Sequence, residues 1–115
     1  MMKRRAAALL LLFAACHREN PAQNVDRGRQ LIGQYGCNVC HAIPGIEGPH
    51  GSLAPSLDGV GSRAAISNGV VANTPENLAK FVQSPASMNP STSMPGLNMP
   101  VADAEEIAKY LRTLR

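Results

Sequence analysis

Two cysteines separated by two residues and followed directly by a histidine, Cys37-Asn38-Val39-Cys40-His41, constrain what this chain can fold into more than any other stretch of its 115 residues. Thiols at that spacing can each form a thioether to one vinyl group of a porphyrin edge, and the next residue then offers an imidazole to the iron as its proximal ligand. A chain that uses the motif this way folds around a flat cofactor joined to its own backbone, with Cys37 and Cys40 as tethers and His41 as axial ligand. Paired cysteines also serve as redox couples and as halves of zinc sites. A tetrahedral zinc site needs four ligands, and beyond the motif the chain offers only Cys16, His17 and His50, the first two beside an export signal. A thioredoxin-like use would place the motif in a βαβ pattern, and no strand-like alternation surrounds it.

Size and composition agree with a cofactor-filled interior. The chain is long enough for one small domain, and Phe13, Tyr35, Phe81 and Tyr110 are its aromatics, with no Trp. Side chains alone would build a thin core at this size. A buried haem adds a large apolar surface on which aliphatic residues can pack.

The N-terminus reads as an address. Lys3, Arg4 and Arg5 precede an apolar run from Ala6 to Ala15, and ten residues are too few to cross a bilayer as a helix. Phe13-Ala14-Ala15-Cys16 resembles a bacterial lipobox, which makes residues 1–15 a lipoprotein signal peptide and Cys16 the lipidated residue. An ordinary secretory signal cleaved nearby is the other reading. With Cys16 on lipid and the other two cysteines on haem, no thiol remains free, which suits an oxidising compartment: the periplasmic face of a bacterial membrane. Eleven Lys and Arg stand against eight acids, and losing Lys3, Arg4 and Arg5 leaves eight against eight. No polybasic patch remains for nucleic acid.

Residues 16–24 are polar, contain Pro21, and read as a tether; the domain is expected over 25–115. Val25, Leu31, Ile32 and Tyr35 recur at helical spacing up to Gly36, and Gly28 and Gly33 within that run point to close approach of another helix. Thr74-Pro75-Glu76-Asn77 predicts a second long helix, with Thr74 as N-cap, an inner stripe of Leu78, Phe81 and Val82, and an end at Pro85. Asp103 as N-cap with Glu106 in the first turn opens a C-terminal helix whose apolar face is Ile107, Tyr110, Leu111 and Leu114. The stretches 44–55 and 85–100 are rich in Gly, Pro, Ser and Asn and are expected as loops wrapped around the cofactor.

From about Val25 to the C-terminus this ordered set of motifs resembles a small class I cytochrome c with a single haem. The resemblance implies an all-α fold of three to five short helices and long loops around one covalently bound haem c, with the Gly28 helix crossing the helix of Tyr110 and Leu111. Ala54-Pro55-Ser56-Leu57, followed by Gly59, Gly61 and Arg63, is similar to the stretch below the haem in that family. It implies that the Pro55 carbonyl accepts the hydrogen bond of the proximal imidazole and that Arg63 lies near a haem propionate. Met88, Met94 and Met99 all fall where the sixth ligand is expected. Spacing from Leu78 through Pro85 and Pro90 matches the family's ligand loop at Met94-Pro95, with Met99 the next candidate and Met88 a distant third. His50 would make a bis-histidine site, although a glycine-flanked loop histidine more often faces solvent.

Iron held by imidazole and thioether has both axial positions filled, which implies a one-electron carrier without bond-making catalysis of its own. A haem subunit fixed in a larger respiratory or periplasmic dehydrogenase complex is the alternative, and a peroxidase or gas sensor would follow if the methionine bond were weak. Redox proteins are the expected partners, together with the membrane through the lipid. Lys80 and Lys109 are the only lysines beyond the signal, so a lysine ring around the haem edge is absent, and an apolar or neutral docking face, or a lasting place beside one partner, is expected.

Overall fold

The computed structural model describes residues 20–115. Residues 1–15, expected as a signal peptide, and the lipidation candidate Cys16 lie outside the described residues.

Helix α1 runs Pro21–Tyr35 and α2 is the single turn Cys37–Cys40. Gly36 separates them at φ 71°, a left-handed conformation that lets the chain swing from one helix axis to the next within one residue. A 3-10 turn at Val60–Ser62 leads into strands β1 (Ala65–Ile66) and β2 (Val71–Ala72). Helices α3 (Pro75–Gln83), α4 (Pro85–Met88) and α5 (Val101–Arg112) complete the chain. Among the described residues, five helices and one two-stranded hairpin make an all-α architecture of the expected kind.

The hub is α5, which packs on both α1 and α3. Leu31 and Ile32 of α1 are fully buried, and they meet Ala104, Ile107, Ala108 and Leu111 in one apolar cluster with Leu78, Phe81 and Val82 of α3. Gly28 stands at the α1–α5 crossing, where an added Cβ would run into the Glu106 carbonyl and come within 2.9 Å of Tyr110 Cβ. Gly33 differs from expectation: a Cβ there would meet nothing within 4 Å, so no helix approaches it.

Two element boundaries differ from the sequence reading, and two short elements were not expected. Helix α1 begins at Pro21, inside the segment expected as a tether. Helix α5 begins one turn early, with Pro100 at the N-cap and its carbonyl taking the Asp103 and Ala104 amides at 3.1 and 3.2 Å. Asp103 is therefore inside the first turn, and its carboxylate accepts the Tyr35 hydroxyl at 2.6 Å, a tie from α5 to α1. Pro100 needs no donor there and presets the entry angle. The β1–β2 hairpin was not foreseen: Ala65 pairs Ala72 and Ile66 pairs Val71. Its turn passes through Ser67, Asn68 and Gly69, all at positive φ. Helix α3 matches its signals, with Thr74 Oγ1 accepting the Asn77 amide at 3.1 Å and Pro75 at the first position. It ends at Gln83, and Pro85 opens α4 instead of a loop.

Candidate haem site

The site is built where α2 meets the chain that follows it. One turn of helix between Cys37 and Cys40 brings both sulfurs toward the same side, closed by the His41 amide on the Cys37 carbonyl at 3.0 Å. From His41 the chain turns back, and residues 51–57 run against α2 through three backbone bonds. Gly51 donates to Asn38 O at 3.0 Å, Ala54 to Cys40 O at 3.0 Å and Leu57 to Ala42 O at 2.9 Å. That pairing delivers the Pro55 carbonyl to His41 Nδ1 at 2.7 Å. A carbonyl only accepts, so Nδ1 carries the proton and Nε2 is the ring nitrogen left for ligation.

Cys37, Cys40, His41, Pro55, Arg63 and Met94 all line one cavity of about 910 Å3. That is near the upper end of the roughly 300–1,000 Å3 typical of ligand sites. Most of its walls are apolar side chains, Ile32 of α1, Leu57 and Val60, Ile66 of β1, Leu78 and Phe81 of α3, and Ile107 and Leu111 of α5, joined by polar residues of the hairpin turn and of the stretch before Met94. A flat apolar group would be sandwiched between these walls, with two thiols and one imidazole on a single rim, so the donor set fits haem c. Among the described residues no three His, Cys, Asp or Glu side chains converge to hold a bare metal ion. Burial pushes the Cys37 thiol above its ordinary range, a backbone hydrogen bond partly opposes the shift, and neighbouring Cys40 adds to it.

The candidate axial and propionate residues separate by position. Met94 lies on the cavity wall beside Pro95, its amide bonded to Thr92 Oγ1 at 3.2 Å. Met99 is 4% exposed within the α-helical core and does not line the cavity, and Met88 packs on that core outside the lining. His50 is exposed on the 44–55 loop, away from the lining. Arg63 reaches back along its own chain, its Nη2 donating to Ser56 O at 2.8 Å and Asp58 O at 3.0 Å. These bonds stiffen the turn that follows Pro55 and leave other donors of the five-donor guanidinium for a carboxylate.

Three asparagines escaped the sequence reading. Asn73 donates to Val60 O and Arg63 O, both at 2.9 Å, and so closes the base of the hairpin. Asn89 donates to Ser67 Oγ at 2.8 Å, tying the segment before Met94 to the hairpin turn. Asn38, in the variable pair of the motif, is 4% exposed. Each bonds groups 11 to 22 residues distant in at least one contact, so local patterning carries no trace of them.

Comparison with known proteins agrees with this geometry. A family model described as Cytochrome c matches residues 25–115. Cytochrome c oxidase subunit 2 of Alkalihalophilus pseudofirmus is 31% identical over 99 residues, covering 84% of this chain and 28% of the relative.

Proposed function

The chain belongs to the cytochrome c family, and from that premise we propose that it is a class I electron carrier with a single haem, which Cys37 and Cys40 would tether and His41 and Met94 would ligate. Covalently bound haem c is the cofactor, and it supplies a one-electron iron couple. The observation that carries the assignment is the His41 Nδ1–Pro55 O bond at 2.7 Å on the rim of a cavity also lined by both thiols.

In this reading each residue has a distinct task. Cys37 and Cys40 fix the cofactor's edge so that it is not lost during turnover. Pro55 holds the His41 ring in one tautomer and one orientation and raises the basicity of Nε2. Met94 brings a soft thioether, which favours the reduced metal and raises the potential relative to a second imidazole. Arg63 offers a planar cation to a propionate. Ile32, Leu57, Leu78 and Phe81 exclude water, which lowers the reorganisation that accompanies each change of charge.

The similarity to an oxidase subunit supports a second reading, in which the domain serves a larger respiratory complex instead of diffusing. A lipid on Cys16 fits both readings, because confinement to the outer face of a bacterial membrane raises the effective concentration beside a membrane-bound partner.

Expression in a haem-attaching host with a pyridine haemochrome spectrum tests the cofactor and its linkage together. The two thioethers should give the c-type spectrum and survive acidic acetone; pigment extracted by that treatment overturns the assignment. Intact mass of the exported protein should show acyl groups on Cys16. Co-purification with a partner at high salt separates the subunit from the free carrier.

A further inference from the structure

Asn38 occupies one of the two motif positions that haem attachment leaves unspecified, yet it is the polar residue buried among the described residues, at 4% exposure. Its side-chain nitrogen donates to Pro49 O at 3.1 Å and to Glu47 O at 3.4 Å, so both amide hydrogens go to the loop after His41. Its own carbonyl accepts the Gly51 amide at 3.0 Å. The loop lies with its backbone directly against α2: a Cβ on Gly51 would collide with the Val39 carbonyl and come within 2.6 Å of the Cys40 carbonyl carbon. Gly48, at φ +98°, passes beside the Asn38 amide. A side chain with two donors at this short reach is what the seam requires, and of the common residues asparagine alone has that length and those donors.

We propose that Asn38 is a positioning residue for the proximal histidine, its buried amide pinning residues 47–51 onto α2 and thereby fixing the Pro55 carbonyl that holds the His41 ring. The inference rests on the reading of His41 as axial ligand. Pro55 follows the pinned segment by four residues, and its carbonyl is the partner of His41 Nδ1 at 2.7 Å. A single hydrogen bond to a loop carbonyl keeps its geometry only as firmly as that carbonyl is held from behind. The Ala54–Cys40 and Leu57–Ala42 bonds flank Pro55 and continue the seam that begins at the buried Asn38 end.

The test is proton exchange at His41 Nδ1 in the haem-loaded protein, followed by NMR, together with the reduction potential. Asn38→Ala should speed that exchange by at least about tenfold, because a buried anchor with two bonds is lost. It should also raise the potential, since a looser Nδ1–H bond makes the imidazole a poorer donor to ferric iron. Asn77→Ala is the control: Asn77 makes a comparable 3.0 Å bond to Ala72 O, away from His41, and its loss should lower the melting temperature without moving either readout. If Asn38→Ala lowers the melting temperature and leaves exchange and potential at the wild-type values, the role is merely structural and the proposal is overturned.

A measurement on the wild type keeps the test independent of whether the variant matures. The Gly51 amide and His41 Nδ1–H should exchange through one opening with the same denaturant dependence, and two separate openings overturn the proposal. Absence of a ligated imidazole signal from His41 in the wild type would instead remove the ligand assignment, a failure visible before any variant is made.

Discussion

Met94 and Met99 are five positions apart in one loop, and the fold gives them different surroundings. Met99 is 4% exposed in the helical core, whereas Met94 is on the cavity wall with the two thiols and His41. Met94→Ala should therefore abolish the weak near-infrared sulfur-to-iron band of the oxidised protein while leaving stability little changed beyond the lost ligand. Met99→Ala should keep that band and cost about 2–5 kcal/mol in denaturant unfolding, the usual price of emptying a buried methionine site. A band lost with Met99→Ala and kept with Met94→Ala would reverse the assignment. At this scale the sequence was legible where covalent chemistry imposes local spacing: Cys37 and Cys40 stand one helical turn apart with His41 next, the spacing that two thioethers to a porphyrin edge would require. Asn38 was not legible, because its partners Glu47 and Pro49 are brought to it only by the returning loop.

Between elements, the α1–α5 crossing decides how two of the three long helices meet. Gly28→Ala would drive a Cβ into the Glu106 backbone carbonyl, and a packed helix backbone does not yield as a side chain does. The expected loss is about 1–3 kcal/mol, read from the shift in urea midpoint at constant slope. Gly33→Ala meets open space, and there the gain should be about 0.5–1 kcal/mol from helix propensity alone. The same crossing carries the Tyr35–Asp103 bond, which raises the Tyr35 pKa, first by the hydrogen bond to Asp103 and then by desolvation and the carboxylate's charge. A folded-state pKa above the unfolded value near 10 means that Tyr35 stabilises the fold fully below that pH and progressively less as pH rises through the folded value. Wild type should thus lose stability above that range more steeply than Tyr35→Phe, in melting curves taken across alkaline pH. This bond also explains the misplaced start of α5. Asp103 has the composition of an N-cap, but its carboxylate is committed to a hydroxyl 68 residues earlier in the chain, a partner that no window of sequence contains. Thr74 caps Asn77 three residues on, and the start of α3 was accordingly legible. Strands of two residues are too short for any alternation to appear, which hid the hairpin.

For the molecule as a whole, charge governs how two redox surfaces meet. Residues 20–115 carry seven Lys and Arg against seven Asp and Glu, and Arg63 is the one permanently charged side chain on the cavity lining. Apolar side chains stand on or beside the cavity wall instead: Leu53 and Val70 on the lining itself, and Val39 between the two cysteines. A face of this kind gains contact by shedding water from apolar area, which salt screens little, whereas a charged face gains or loses orders of magnitude in encounter rate with ionic strength. Electron self-exchange between oxidised and reduced copies needs no second protein and probes that face directly. Its rate, from NMR line broadening in mixtures, should change by less than about threefold between 0.01 M and 0.5 M salt, although the screening length falls several-fold over that range. Leu53→Lys puts like charges on both sides of the contact, so it should slow self-exchange at low salt and recover toward the wild-type rate as salt is added. A wild-type rate that climbs steeply with salt would mean that charge outside the cavity mouth, and not the apolar mouth, sets how the molecules meet.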